Sequence, residues 1–138
     1  MFFNKKNKKE ENNFLIKVAA LLVHAAKIDE NYSTIEEKII KQALLEIGAD
    51  NETIDELIQK ANKLEENNNQ ILEFTREVKN MNETSKIKII ETLWRIIYSN
   101  KEADMFETNL MRRLQGLLYI DSKVMGNLKD KIKKENLK

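Results

Sequence analysis

From Asn13 onward apolar residues recur at the spacing of a helix. Phe14, Val18, Leu21, Leu22 and Ala25 fall on one face, and Leu15, Ala19 and Ala26 widen the stripe. The pattern predicts a first helix from Asn13 to about Ile28, where Asp29, Glu30 and Asn31 replace the apolar period. Ser33 followed by Glu36 has capping-box spacing, in which hydroxyl and carboxylate each satisfy an otherwise unpaired backbone N–H. A second helix then runs to about Ile47, with Gly48 as its stop, because glycine takes the left-handed cap conformation without a side-chain penalty.

Thr53 and Glu56 repeat the capping spacing ahead of Ile54, Leu57, Ile58, Ala61 and Leu64, the apolar face of a third helix. Asn67, Asn68 and Asn69 form a polar break before a shorter fourth helix carrying Ile71, Leu72, Phe74, Thr75 and Val78. Asn82 can cap a fifth helix, whose Ile87, Ile89, Ile90, Leu93, Trp94, Ile96 and Ile97 cover most of its circumference. Only Lys88, Glu91, Thr92 and Arg95 remain as a narrow polar strip, so this helix belongs at the centre. Asp104 and Glu107 open a sixth helix with Phe106, Leu110, Leu114 and Leu117, ended near Gly116; a seventh starts at about Asp121 and finishes in a lysine-rich tail.

The expected fold is therefore all-α: one compact bundle of about seven helices over residues 13–136, preceded by a flexible basic tail over 1–12. Composition agrees, with no proline, three glycines, 41% hydrophobic and 34% charged residues. The absence of cysteine excludes disulfides, thiolate metal sites and cysteine nucleophiles. No transmembrane span is expected, and the apolar stretch at Phe2 and Phe3 is too short for a secretory signal, which makes a cytoplasmic location the default.

Charge is uneven although the net value is only +1: residues 29–66 carry eleven acids against four lysines, and both ends are lysine-rich. The acidic segment argues against a nucleic-acid partner. Lys5, Lys6, Lys8 and Lys9 suit peripheral contact with an anionic membrane, but a solvated tail is the simpler reading.

The chain repeats one grammar. KIDENYSTIEEKII in the first half and YSNKEADMFETNLM in the second align Asp29 with Asn100, Ser33 with Asp104 and Glu36 with Glu107. Together with ALLVHAAKIDENYSTIEEKII, EFTREV and LWRIIYSNKEADMFETNLMRRLQGLLYI in that order, the sequence resembles the tellurite-resistance protein B (TerB) family over roughly residues 14–128. The resemblance implies an all-helical fold of about seven helices, also found in membrane-anchored DnaJ-like co-chaperones, and a stress-response setting. It also implies acidic interhelical turns that bind a metal or a partner. Carried over, those turns nominate Asp29 and Glu36 in the first copy and Asp104 and Glu107 in the second. Ser33 and Asn100 stand where the family often has Asp, and Glu30 and Lys101 where it has glycine.

Other chemistry is thin. Asp29, Asn31 and Ser33 alternate like the first ligands of an EF-hand, but Thr34 and Ile40 stand where that loop needs glycine and a bidentate glutamate. Capping alone accounts for Glu36 and Glu107, which leaves Asp29 as the residue that no local structure requires. His24, placed with Lys17, Ala20 and Lys27 away from the apolar stripe, is expected to be exposed and has no catalytic partner in sequence. Trp94 is assigned to the core. Thr75, Arg76 and Arg95 suggest a polar cluster between the fourth and fifth helices, though solvated or ion-paired side chains explain them more simply.

There is no glycine-rich phosphate loop, no His-Glu-x-x-His zinc motif, no serine elbow and no His-Pro-Asp signature. The chain therefore reads as a non-enzymatic module that binds a divalent cation or a cationic partner through Asp29, Glu36, Asp104 and Glu107. The alternative is a protein-interaction scaffold, or a homo-oligomer covering surplus apolar surface, with no metal site.

Overall fold

The computed structural model describes residues 5–27, 34–67, 71–99 and 105–136, and the side chains within 13–27, 34–67, 71–99 and 108–135. Among the described residues there are seven helices and no strand: α1 (Lys5–Lys27), α2 (Thr34–Glu46), α3 (Ile54–Asn67), α4 (Leu72–Lys79), α5 (Glu83–Tyr98), α6 (Met105–Leu117) and α7 (Ser122–Asn136). The fold is the all-α bundle expected. No helix among the described residues is long and apolar enough to cross a membrane.

α1 starts at Lys5, inside the segment expected to be a tail. The apolar period marks where a helix is buried, whereas Lys and Glu, which fill residues 5–11 apart from Asn7, sustain a helix without burial. From Val18 to Val23 every residue of α1 is fully buried, including Ala20, which the sequence pattern had put on the polar side. The cause is topological. α1 packs against α2, α3, α4 and α5, so almost no arc of it faces water. α5 is the second central helix, held by α1, α2, α4 and α7.

Two helix ends share one hydrogen-bond motif. After α2 the Ala49 N–H reaches the Leu44 carbonyl (2.9 Å) and the Gly48 N–H the Leu45 carbonyl (3.3 Å), with Gly48 at φ +116°. This is the Schellman stop expected at Gly48. After α6 the Ile120 N–H reaches Gln115 (3.1 Å) and the Tyr119 N–H reaches Gly116 (3.4 Å), with Tyr119 at φ +54°. The helix ends at Leu117, near Gly116 as expected, but the residue that takes the left-handed position is Tyr119.

Helix starts show a similar mixture. Asn82 caps α5, its side chain accepting from the Ser85 N–H at 2.8 Å, as expected. The Thr53–Glu56 spacing precedes α3 but does not act as a box there. The Thr53 hydroxyl turns back to the Asp50 carbonyl (3.4 Å), and the Asp50 carboxylate accepts from the Glu52 N–H (3.0 Å). Asp121 does the same for Lys123 at 3.1 Å ahead of α7.

These parallels extend the sequence repeat to three helices at one constant offset of 71 residues. α1 ends at 27 and α5 at 98; α2 spans 34–46 and α6 spans 105–117. Gly48 corresponds to Tyr119 and Asp50 to Asp121. Buried positions correspond too: Val18 with Ile89, Leu22 with Leu93, Ile40 with Met111, Leu57 with Leu128. The chain thus repeats a three-helix unit in sequence, α1–α3 and α5–α7, on either side of α4, although among the described residues α6 packs on α4 where α2 packs on α1, α3 and α5.

Candidate functional site

Of the four residues nominated from sequence, Asp29 and Asp104 lie outside the described residues, and Ser33, the first partner of the expected capping box, does too. Glu107 belongs to the first turn of α6, with its side chain outside the described set. Glu36, in the first turn of α2, is fully described and is 1% exposed. It is the most deeply buried carboxylate among the described residues, where most other acids of α2 and α3 face water. It shares a helical face with the buried residues Ile40, Ala43 and Leu44, and that face carries it inward at the N-terminal end of α2.

α2 packs on α1, α3 and α5, and α6 packs on α4, with no extensive contact between α2 and α6 among the described residues. No group of three His, Asp or Glu side chains among them gathers as a metal site requires. Glu36 is therefore the one described member of the candidate metal set.

His24 is half-buried, not exposed. Its Nδ1 lies 3.3 Å from Glu65 Oε1 on α3, and Lys27 donates to the other oxygen at 3.1 Å. The polar side of α1 is covered because α3 lies along it, and an acid on α3 meets the basic residues of α1. This cluster is a brace between helices: no nucleophile accompanies the imidazole, so nothing there requires a general base.

The polar strip of α5 is likewise covered. Glu91 and Thr92 are buried; Lys88 pairs with Glu46 of α2, Lys131 of α7 pairs with Glu91 at 3.2 Å, and Arg95 pairs with Glu135 at 3.2 Å. The Lys88 ammonium and then the Gln42 amide hold the Glu46 carboxyl below its usual range. The suggested cluster of Thr75, Arg76 and Arg95 does not form: Thr75 is buried with its hydroxyl on the Leu72 carbonyl (3.1 Å), Arg76 is exposed, and Arg95 faces α7.

Trp94 is 3% exposed, as expected of a core residue, and stacks on Tyr98 with centroids 5.9 Å apart. It also lines a cleft of about 190 Å³ with residues of α6 and α7, among them Arg112, Gln115, Ser122 and Lys129. Reasoning from the sequence missed this cleft, because an apolar period places a tryptophan inside without saying what faces it. The signal that could have found it was the repeat itself, compared position by position.

The comparisons with known proteins agree with the architecture. No curated protein and no solved structure matches the chain. The family model described as tellurite resistance protein TerB matches residues 15–130, which spans both three-helix units and the connecting α4. On that match and on the helical architecture it covers, the chain belongs to the TerB family.

Proposed function

We propose that the chain is a non-catalytic TerB-like module that takes a divalent cation, or a cationic group of a partner, at the turn between α1 and α2. Asp29 and Glu36 are its principal carboxylates, and Asp104 and Glu107 serve the equivalent turn before α6. One observation carries this reading: the Glu36 side chain, which follows the acidic segment closely in sequence, is 1% exposed. In a site withdrawn from water a carboxylate and a cation attract each other more strongly.

Hard cations take oxygen ligands, six to eight of them for calcium. The segment beside Glu36 offers oxygen-bearing side chains at Asp29, Glu30, Asn31 and Ser33. A bound cation would supply charge neutralisation to this end of the bundle, and hence stability.

The test is a thermal melt of chelator-treated protein with calcium, magnesium, manganese or zinc. An ion at one hundred times its dissociation constant adds about 2.7 kcal/mol, which raises the midpoint of a domain this size by several degrees. A selective rise that disappears in Asp29→Ala is expected. No rise with any ion, or equal rises in both proteins, would remove the first turn as a metal site.

A protein-interaction scaffold is the second reading, favoured by Tyr119. This residue is 75% exposed and held at positive φ, a conformation that costs a side chain energy and that glycine would take freely. A concentration-independent monomer in sedimentation would eliminate the homo-oligomer form of this reading.

A further inference from the structure

One of the differences between the two three-helix units points to a second site. In the first unit Lys41 of α2 is neutralised twice, by Asp55 of α3 at 2.7 Å and by Glu37 at 3.6 Å. At the offset of 71 residues Lys41 becomes Arg112, Asp55 becomes Gly126 and Glu37 becomes Thr108. The cation is kept and both carboxylates are gone. Arg112 makes no ion pair among the described residues.

The apolar filling has changed with it. Val23 and Ile58, both buried in the first unit, correspond to Trp94 and Lys129. The Lys129 ammonium stands 5.6 Å from the centroid of the Trp94 ring, and it too has no ion pair among the described residues. Where the first unit has Ile54, Ile58, Leu44 and Val23 packed together, the second has the cleft that Trp94 lines.

That cleft joins three features that suit a particular class of ligand. It carries two cations, Arg112 and Lys129, and no carboxylate lines it among the described residues. Its apolar walls are Trp94, Met111 and Met125. The Trp94 indole is buried, and its Nε1 has no hydrogen-bond partner among the described residues. The end of α7 does not compete for this role, because Asp121 already accepts the Lys123 N–H there. Gly126 lies in the wall inside a helix, where alanine would favour the helix more and where an added Cβ would meet nothing within 4 Å. A volume of about 190 Å³ has room for roughly six waters, which is the scale of a small organic molecule.

We infer that the cleft between α5, α6 and α7 binds a small organic anion. Its carboxylate or phosphate group is held by Arg112 and Lys129, in the place that Asp55 and Glu37 occupy beside Lys41. Its apolar body lies against Trp94 and the two methionines. This site is separate from the acidic turn and does not depend on that reading.

Trp94 is the only tryptophan in the chain, so a nitrogen-15 spectrum of the full-length protein contains one indole N–H resonance, and that resonance reports from the cleft. The protein is titrated with benzoate, with phenyl phosphate and with the neutral isostere benzamide. A saturable shift with benzoate or phenyl phosphate, and none with benzamide, is expected; whichever anion shifts it assigns the head group. Arg112→Gln and Lys129→Gln are each expected to raise the dissociation constant about tenfold or more, since each removes a charged hydrogen bond. Gly126→Leu, which fills the cleft, abolishes the shift. An absent shift with both anions, an equal shift with benzamide, or unchanged affinity in both glutamine variants overturns the inference.

Discussion

The first and second three-helix units use the same frame for different ends. In α1–α3 the positions around Val23, Ile54 and Ile58 are filled by aliphatic side chains and flanked by Lys41 with its two acids. In α5–α7 the same positions hold Trp94, Lys129, Arg112 and Gly126, and a cleft remains. The acids are concentrated in the sequence of the first unit, and Arg112 and Lys129 of the second make no ion pair among the described residues. Some core positions are kept, as Val18 with Ile89 and Leu22 with Leu93, while others have changed together with their surface neighbours, as Val23 to Trp94 and Ile58 to Lys129.

The comparison is tested first at its core. Leu22 and Leu93 are equivalent and fully buried in the two central helices. Leu22→Ala and Leu93→Ala are each expected to cost about 2–5 kcal/mol in chemical denaturation. A large cost in one unit and almost none in the other would show that the two are not built alike.

Next come the helix stops. Gly48→Ala places a methyl group on a residue at φ +116° and is expected to cost about 1–2 kcal/mol. Tyr119→Gly relieves the equivalent strain and is expected to gain up to about 1 kcal/mol, reduced by the freedom that glycine adds to the unfolded chain. A loss of stability in Tyr119→Gly would mean that the contact with Lys79, 4.4 Å from its ring centroid, outweighs the strain.

The smallest effect is electrostatic. The Glu46 carboxyl is held low by Lys88 and Gln42, so its contribution is present above the carboxyl's unfolded pKa and fades as pH falls through its lower folded value. Lys88→Met is expected to flatten the acid limb of the stability curve. An unchanged limb would show that the pair is screened away.

Much of this fold is legible in the residue pattern. The helical periods of Val18–Ala26 and Ile89–Ile97, the cap at Asn82 and the stop at Gly48 all follow from local chemistry. What failed was everything that depends on a neighbour. Ala20 and His24 fell on the sparse side of α1, but α3 covers that side. Thr53 had the spacing of a cap, yet Asp50 organises that turn. α6 ends near Gly116 as expected, yet the left-handed residue of its stop is Tyr119 and not a glycine. For the site, Glu36 is nominated by the family resemblance and its capping role by spacing, whereas its burial depends on how α2 lies against the core. The cleft at Trp94 needed the comparison of the two units.

The measurement that tests the central functional claim most directly is a backbone amide titration of the chelator-treated protein, using the divalent ion that raises its melting temperature most. The account predicts saturable shifts concentrated between Ile28 and Glu37, lost in Asp29→Ala. Shifts spread over the exposed acids of α3, or none that saturate, would contradict it.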